Sequence, residues 1–242
     1  MSKGLYVALS GAVAQENALD TVANNVANAS SPGYQRLRPV FRQALANAQG
    51  GDRSLRYGQM AQTAVDTAPG AVRVTERALD VALPTGTYLA VETTRGERYT
   101  RAGNLSVDRE GAIRTAAGSA VLGESGSPLV AQPSGLGLSI TTDGTIRQNG
   151  NVVGKLKLVR FERPEALTPE GSSLLAVGGA GAVTPSTQPI TPGALEESNA
   201  QPVTAMTELM ATNRTFEAFQ KVLDQLGEVD RKLVTTVPLG TE

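Results

Sequence analysis

Residues 202–237, PVTAMTELMATNRTFEAFQKVLDQLGEVDRKLVTTV, carry the clearest periodicity in the chain. Taken in alternating steps of three and four, the stretch reads Ala205, Leu209, Thr212, Phe216, Phe219, Leu223, Leu226, Asp230, Leu233, Val237, and eight of these ten are apolar. That is the narrow stripe of a heptad-like helix. Pro202 suits a first helical turn, Ser198 and Asn199 stand upstream as candidate caps, and Pro238 and Gly240 mark the far end. The spacing predicts a helix of about 35 residues, roughly 50 Å long.

The opposite terminus has the same design. Leu5, Ala8, Ala12, Gln15, Leu19, Val22, Val26 and Ala29 form a stripe with seven apolar positions of eight, backed by Glu16, Asn17, Asp20, Asn24 and Asn28. Ser30-Ser31-Pro32-Gly33 stops it, because Pro32 disfavours helical geometry at the residue before it. About 27 residues make a rod of roughly 40 Å. Stripes this narrow on helices this long cannot be buried by a small domain, so they are expected to pair with each other and with other copies. A coiled-coil hairpin within a lone monomer is the alternative.

Between the helices the pattern changes from period 3.5 to period 2. Residues 42–84 are rich in Gly, Gln, Thr and Ala and read as extended linker and edge strands. From Thr85 short strands follow: Tyr88–Val91, Arg98–Arg101, Leu105–Val107, Ala112–Thr115 and a single strand Val152–Phe161, VVGKLKLVRF. Asp108-Arg109-Glu110-Gly111, Asp143-Gly144 and Asn149-Gly150 read as turns. The fold class is therefore α+β, long terminal helices forming a coiled-coil-like terminal domain with a small all-β domain inserted. The divisions are 1–41 (N-terminal helix), 42–84 (linker and edge strands), 85–192 (β domain) and 193–242 (C-terminal helix).

Composition narrows function by what is missing. The 242 residues include no His, Cys or Trp, which removes imidazole and thiolate catalysis, disulfides and the usual zinc ligands. Net charge is −1, from 22 Lys plus Arg against 23 Asp plus Glu, without the basic excess that phosphate binding needs, so nucleic acid is not an expected partner. The N-terminus carries Gln, Glu, Asn and Asp where a secretory signal or membrane span would be apolar. Absence of Cys suits the cytosol, and equally a protein exposed to oxidising surroundings. Carboxylate pairs are the remaining catalytic candidates. Glu196-Glu197 precede a helix, where negative charge meets the positive end of the helix dipole, and Asp108, Glu110 and Asp143 sit in turns, so each has a structural explanation. Gly178-Gly179-Ala180-Gly181 lacks the Lys-Ser/Thr of a phosphate loop. No catalytic residue, cofactor or metal is expected; a carboxylate-dependent hydrolase is the remote alternative.

Three asparagines in five positions, Asn24, Asn25 and Asn28, are costly inside a helix and call for buried backbone partners or a solvated end. The segment holding them, ALDTVANNVANASSPGYQR (18–36), resembles the N-terminal signature of flagellar axial proteins, the rod and hook proteins of the bacterial flagellum. GALEESNAQPVTAMTELMATNRTFEAFQKVLDQL (193–226) is similar to that family's C-terminal signature, with Arg214, Phe216 and Glu217 in its Arg-x-aromatic-Glu pattern, and RYTRAGNLSVDREGAIRTAAGSAVLG (98–123) to its Tyr-Thr-Arg-x-Gly hairpin. RALDVALPTGTYLAV (77–91) departs from the distal rod and hook pattern and looks most like the minor proximal rod type.

The resemblance implies a proximal rod subunit that self-assembles, and assembles with other rod proteins, into the helical drive shaft between motor and hook. A distal rod or hook subunit is the nearer alternative. The resemblance implies a rod spanning the periplasm, reached through the flagellar type III export apparatus without a cleaved signal and without membrane insertion. Leu5, Leu9, Leu19, Val22, Val26, Leu209, Phe216, Phe219, Leu223, Leu226 and Leu233 are expected to carry helix packing and assembly. Asn24, Asn25, Asn28, Glu196, Ser198 and Asn199 are expected to form a polar junction where the terminal elements meet the β domain.

Overall fold

The computed structural model describes residues 3–46, 55–132, 137–171 and 173–236. The side chains of Leu5 and Leu233 lie outside the described residues. Helix α1 (Lys3–Ala27) and helix α2 (Pro202–Thr236) stand at the two ends of an α+β chain, with strands between them. The chain divides into two compact units, one drawn from Met1–Val26, Arg38–Thr63 and Val203–Glu242, the other from Ala27–Leu37 and Ala64–Pro202. No helix among the described residues is long and apolar enough to cross a membrane.

The helical unit contains more than helices. Strands β1 (Leu37–Ala46) and β2 (Leu55–Val65) form a two-stranded sheet where the composition suggested extended linker and edge strands. The two helices run antiparallel: Gln15 Nε2 donates to the Thr212 carbonyl at 3.3 Å, while nearer the start of α1 Gly11 faces the Phe219 ring, further along α2.

The β unit reaches beyond 85–192 because both flanks pair within it. Strand β3 (Val72–Val74) runs antiparallel to Ala194–Glu196, and β4 (Val81–Ala82) to Thr191–Pro192. At its centre β5 (Thr87–Thr93) pairs along one edge with β6 (Gly96–Thr100) and along the other with Leu158–Phe161 and Ala120–Val121. Period-2 alternation sends Leu89 and Val91 into one cluster, with Leu105, Ile113, Ile146 and Leu156, and Tyr88 and Ala90 into another, with Tyr99, Phe161 and Leu167. Aliphatic residues therefore build most of the core, each buried Leu, Ile or Val contributing about 1.5–3 kcal/mol. Three aromatics join it: Tyr88 and Tyr99 both meet Phe161 edge-on, with ring centroids 5.4 and 4.8 Å away.

VVGKLKLVRF is not one strand. Asn151–Lys155 belongs to a three-stranded sheet and Leu158–Phe161 to the large one. The chain changes sheets at Leu156-Lys157, whose amides donate to Gly144 and Leu122 carbonyls, each at 2.9 Å. Alternation continues through such a break, so the pattern alone could not reveal it. The Asn149-Gly150 turn has positive φ at both residues, 51° and 83°, the two-residue geometry that matches strand twist. At Asp108 the carboxylate accepts from the Glu110 and Ala112 amides and from Arg114, which holds its carboxyl below the usual range.

Candidate assembly faces and the buried junction

Helix α2 presents a continuous face. Ala205 is buried, and Leu209, Thr212, Phe216, Phe219, Leu223 and Leu226 are half-buried. The stripe is thus turned inward but only partly covered by its own chain. Outside it, Val203, Met206 and Met210 lie on the first turns of α2 as an exposed apolar patch, with Val203 78% exposed.

On α1 the buried arc is wider than the single stripe. Val22 is buried and Leu19 and Val26 are half-buried, but Ala14, Ala18, Thr21 and Asn25 are buried too. With about 100° per residue, this second row lies beside the first. Gly11, Ala14 and Ala18 make it a face of small residues, and a Cβ on Gly11 would stand 2.8 Å from Phe219 Cε1. The signal for this row was the small-residue run itself, which the leucine spacing overshadowed. Leu9, also expected to pack, is 49% exposed, because one further helical step beyond Ala8 carries it off the arc that its own chain buries.

The three asparagines separate by position. Asn24 is exposed, and its side-chain amide donates to the Asp20 carbonyl of its own helix at 3.0 Å. Asn25 is buried, and Asn28 is half-buried in the turn, where its side-chain oxygen lies 3.2 Å from the Ser31 hydroxyl. Asn17 and Thr21 likewise bond to carbonyls four residues back, a habit that lets polar side chains persist in a helix.

Of the residues expected at a polar junction, Asn24 and Asn25 belong to the helical unit, whereas Glu196 and Asn199 join a polar cluster within the β unit whose centre is a residue outside that expectation. Arg101, the third residue of the Tyr-Thr-Arg-Ala-Gly motif, is 2% exposed and faces Glu196, 4% exposed. Its Nε donates to Glu196 Oε2 at 2.9 Å, and Nη2 donates to the same oxygen and to the Leu83 carbonyl. Nη1 donates to the Pro84 and Thr87 carbonyls at 3.1 and 2.6 Å. All five guanidinium N–H donors are used, and the group lies 5.7 Å from the Tyr88 ring centroid. The other carboxylate oxygen of Glu196 accepts from the Gly70 amide at 2.9 Å.

Around this pair three distant segments are laced together. The Gly33 amide donates to the Glu196 carbonyl and the Asn199 amide to that of Tyr34. Asn199 Oδ1 accepts from the Arg36 amide, and its Nδ2 donates to the Asp66 and Ala68 carbonyls at 2.9 and 2.7 Å. Gly33, at φ 67°, backs onto Arg101 so closely that a Cβ would sit 2.3 Å from the Arg101 carbonyl. Burial of the Tyr34 phenol pushes its pKa up to about 12.

Glu196 and Glu197, expected to face the positive end of the helix dipole, both pair with guanidinium groups. Glu196 pairs with Arg101 and Glu197 with Arg73, at 2.9 Å on the surface. A fixed cation at bonding distance outweighs the partial charge of a helix end. Ser198 makes a local turn, accepting from the Ala200 amide at 3.1 Å.

Gly33, Tyr34, Arg101, Glu196 and Asn199 of this junction fall within segments that family models recognise. The model for flagella basal body rod proteins matches residues 5–35, that for the flagellar hook protein FlgE/F/G D1 domain matches 84–153, and that for the flagellar basal body rod FlgEFG protein C-terminal region matches 191–236. Together they define the class as a structural protein of the flagellar axis and not an enzyme. The chain is 35% identical to the flagellar basal-body rod protein FlgF of Salmonella typhimurium over 247 residues, covering 94% of this chain and 95% of the relative. It is 30% identical to FlgF of Mesorhizobium japonicum, with 98% of each covered, and 28% identical to the rod protein FlgG of Bacillus subtilis, with 97% and 98% covered. The chain belongs to the flagellar basal-body rod protein family and is FlgF-like.

Proposed function

We propose that this chain is a subunit of the proximal rod, polymerising with itself and with neighbouring axial proteins into the helical shaft that carries torque from motor to hook. One observation carries the reading: α2 turns a seven-residue stripe, Ala205 to Leu226, inward yet leaves most of it half-covered, while Val203, Met206 and Met210 are exposed beside it. A monomeric protein has no use for a face it cannot cover. In the assembled shaft, α1 and α2 of each subunit pair as a coiled-coil-like hairpin whose remaining apolar surface is buried by adjacent copies. A heterologous contact that does not close on itself propagates such subunits as a helix.

The subunit works in the basal body, in the part of the rod that spans the periplasm, and reaches it through the flagellar type III export apparatus. Leu19, Val22, Val26, Leu209, Phe216, Phe219, Leu223 and Leu226 carry the packing in this reading, while Glu196 and Asn199 hold the junction. The test is a strain lacking this chain. Its purified basal bodies are expected to stop short of the distal rod, and restoring the chain is expected to restore rod and motility, whereas Phe216→Asp is not. Complete rods without the chain would refute the reading, and normal motility with Phe216→Asp would refute the packing role.

A further inference from the structure

We infer that Arg101 is a latch that seats on the β unit both the segment following α1 and the segment preceding α2, and that it opens separately from the β core. Three observations lead there. First, Glu196 and Val72–Val74 lie in a two-stranded sheet of their own, outside the large sheet, in which Ala194–Glu196 is buried while every residue of β3 is exposed. Second, a cleft of about 790 Å³ runs alongside this layer, lined by Ser30, Asp66, Gly70, Glu197 and Asn199 among others. The outer strand of the layer therefore has little apolar packing to hold it. Third, the side chain that reaches it from the core is Arg101, whose own strand end follows β6 and whose guanidinium is anchored on the Leu83, Pro84 and Thr87 carbonyls.

A two-stranded layer whose outer strand is exposed belongs to the low-stability end of a protein's local unfolding events. Here its charged attachment to the core is one fork of donors aimed at one carboxylate, beside the Asn199 bonds to Arg36, Asp66 and Ala68. Lysine cannot replace that fork, since an ammonium has three donors on a single atom and cannot span Glu196 and three carbonyls at once. When the latch is closed, Glu196 offers its backbone carbonyl to Gly33 and its side chain to Gly70, so one residue holds the two other segments. When it opens, all three segments lose their shared partner while β5, β6 and their neighbours keep their ladder bonds.

Amide hydrogen exchange on the full chain tests this. Arg101→Lys and Glu196→Gln are each expected to speed exchange at Gly33, Gly70 and Glu197 about tenfold or more. Ala90, Leu122 and Leu129, whose amides are bonded inside the core, are expected to stay at their original rates. Val91→Ala, a core change, provides the contrast by speeding core and junction amides together. The inference fails if the Arg101 and Glu196 variants speed core and junction amides equally, or if they leave the junction amides unchanged.

A second arm rests on the rod reading: subunits whose junction amides open should fail to restore the rod in a strain lacking the chain. If they restore it as well as the original chain, the latch is not needed for assembly and this consequence falls. If the original chain itself does not restore the rod, the rod reading fails and the exchange result stands alone.

Discussion

Gly33 illustrates how a single residue ties sequence to architecture. Its φ of 67° costs an L-residue about 1–2 kcal/mol, and its missing Cβ lets it lie against the Arg101 backbone. Gly118, at φ 83°, has nothing within 4 Å of a built Cβ. Gly118→Ala should therefore cost about the conformational strain alone, and Gly33→Ala clearly more; urea denaturation of the two variants side by side checks this, and equal losses would contradict the close-approach argument. Asp143 permits a pH prediction. Hydrogen bonds first from the Thr141 hydroxyl and then from Thr145 hold its carboxyl at about 2, below the unfolded value. Stability from this group is thus present above the ordinary carboxylate range and is lost as pH falls toward 2. An NMR titration of the Asp143 carboxyl should show its pKa rising toward 3.8 in Thr141→Val, and no movement would deny the hydroxyl its role. The central residue, Arg101, was visible in the sequence only as a letter in a motif, because its partner lies 95 positions away and no local pattern encodes such a pairing.

At the scale of elements, legibility followed the range of the forces involved. Helices α1 and α2 could be read because their periodicity, Pro202 and Pro32-Gly33 are local signals, and the Asn149-Gly150 turn because two left-handed residues demand that chemistry. Strands β1 to β4 were legible only as extended linker and edge strands, since the partners of β3 and β4 lie more than a hundred residues later. The helix pair itself supplies a test. A side chain at position 11 must displace the Phe219 ring, 2.8 Å from the built Cβ, so Gly11→Leu should destabilise the hairpin. Combining it with Phe219→Ala should recover at least about 0.5 kcal/mol relative to the sum of the two single changes, because residues in contact are not additive. Far-UV circular dichroism during urea unfolding measures the cycle, and strict additivity would mean that the two positions do not touch in solution.

For the whole molecule, the two units differ in how completely each buries itself. The β unit has two apolar clusters of its own, with Leu89, Val91, Leu105, Ile113 and Ile146 all fully enclosed. Among the described side chains of α2 no large one is so enclosed, and Leu209, Phe216, Phe219, Leu223 and Leu226 all remain half-covered. Propensity contributes little to a helix this long without tertiary packing, and buried apolar area is the main stabilising term. The subunit alone should therefore hold its β unit firmly and its helices weakly, and assembly should supply what the helices lack. In hydrogen exchange on the monomeric subunit, amides across 205–229 are expected to exchange quickly while those of Thr87–Val91 persist. In rods built from the same chain, the helix amides should slow until they match the β core. Helix amides already as slow as the core in the monomer would mean that the hairpin is complete in itself, and the half-covered stripe would then need another explanation than burial by neighbouring copies.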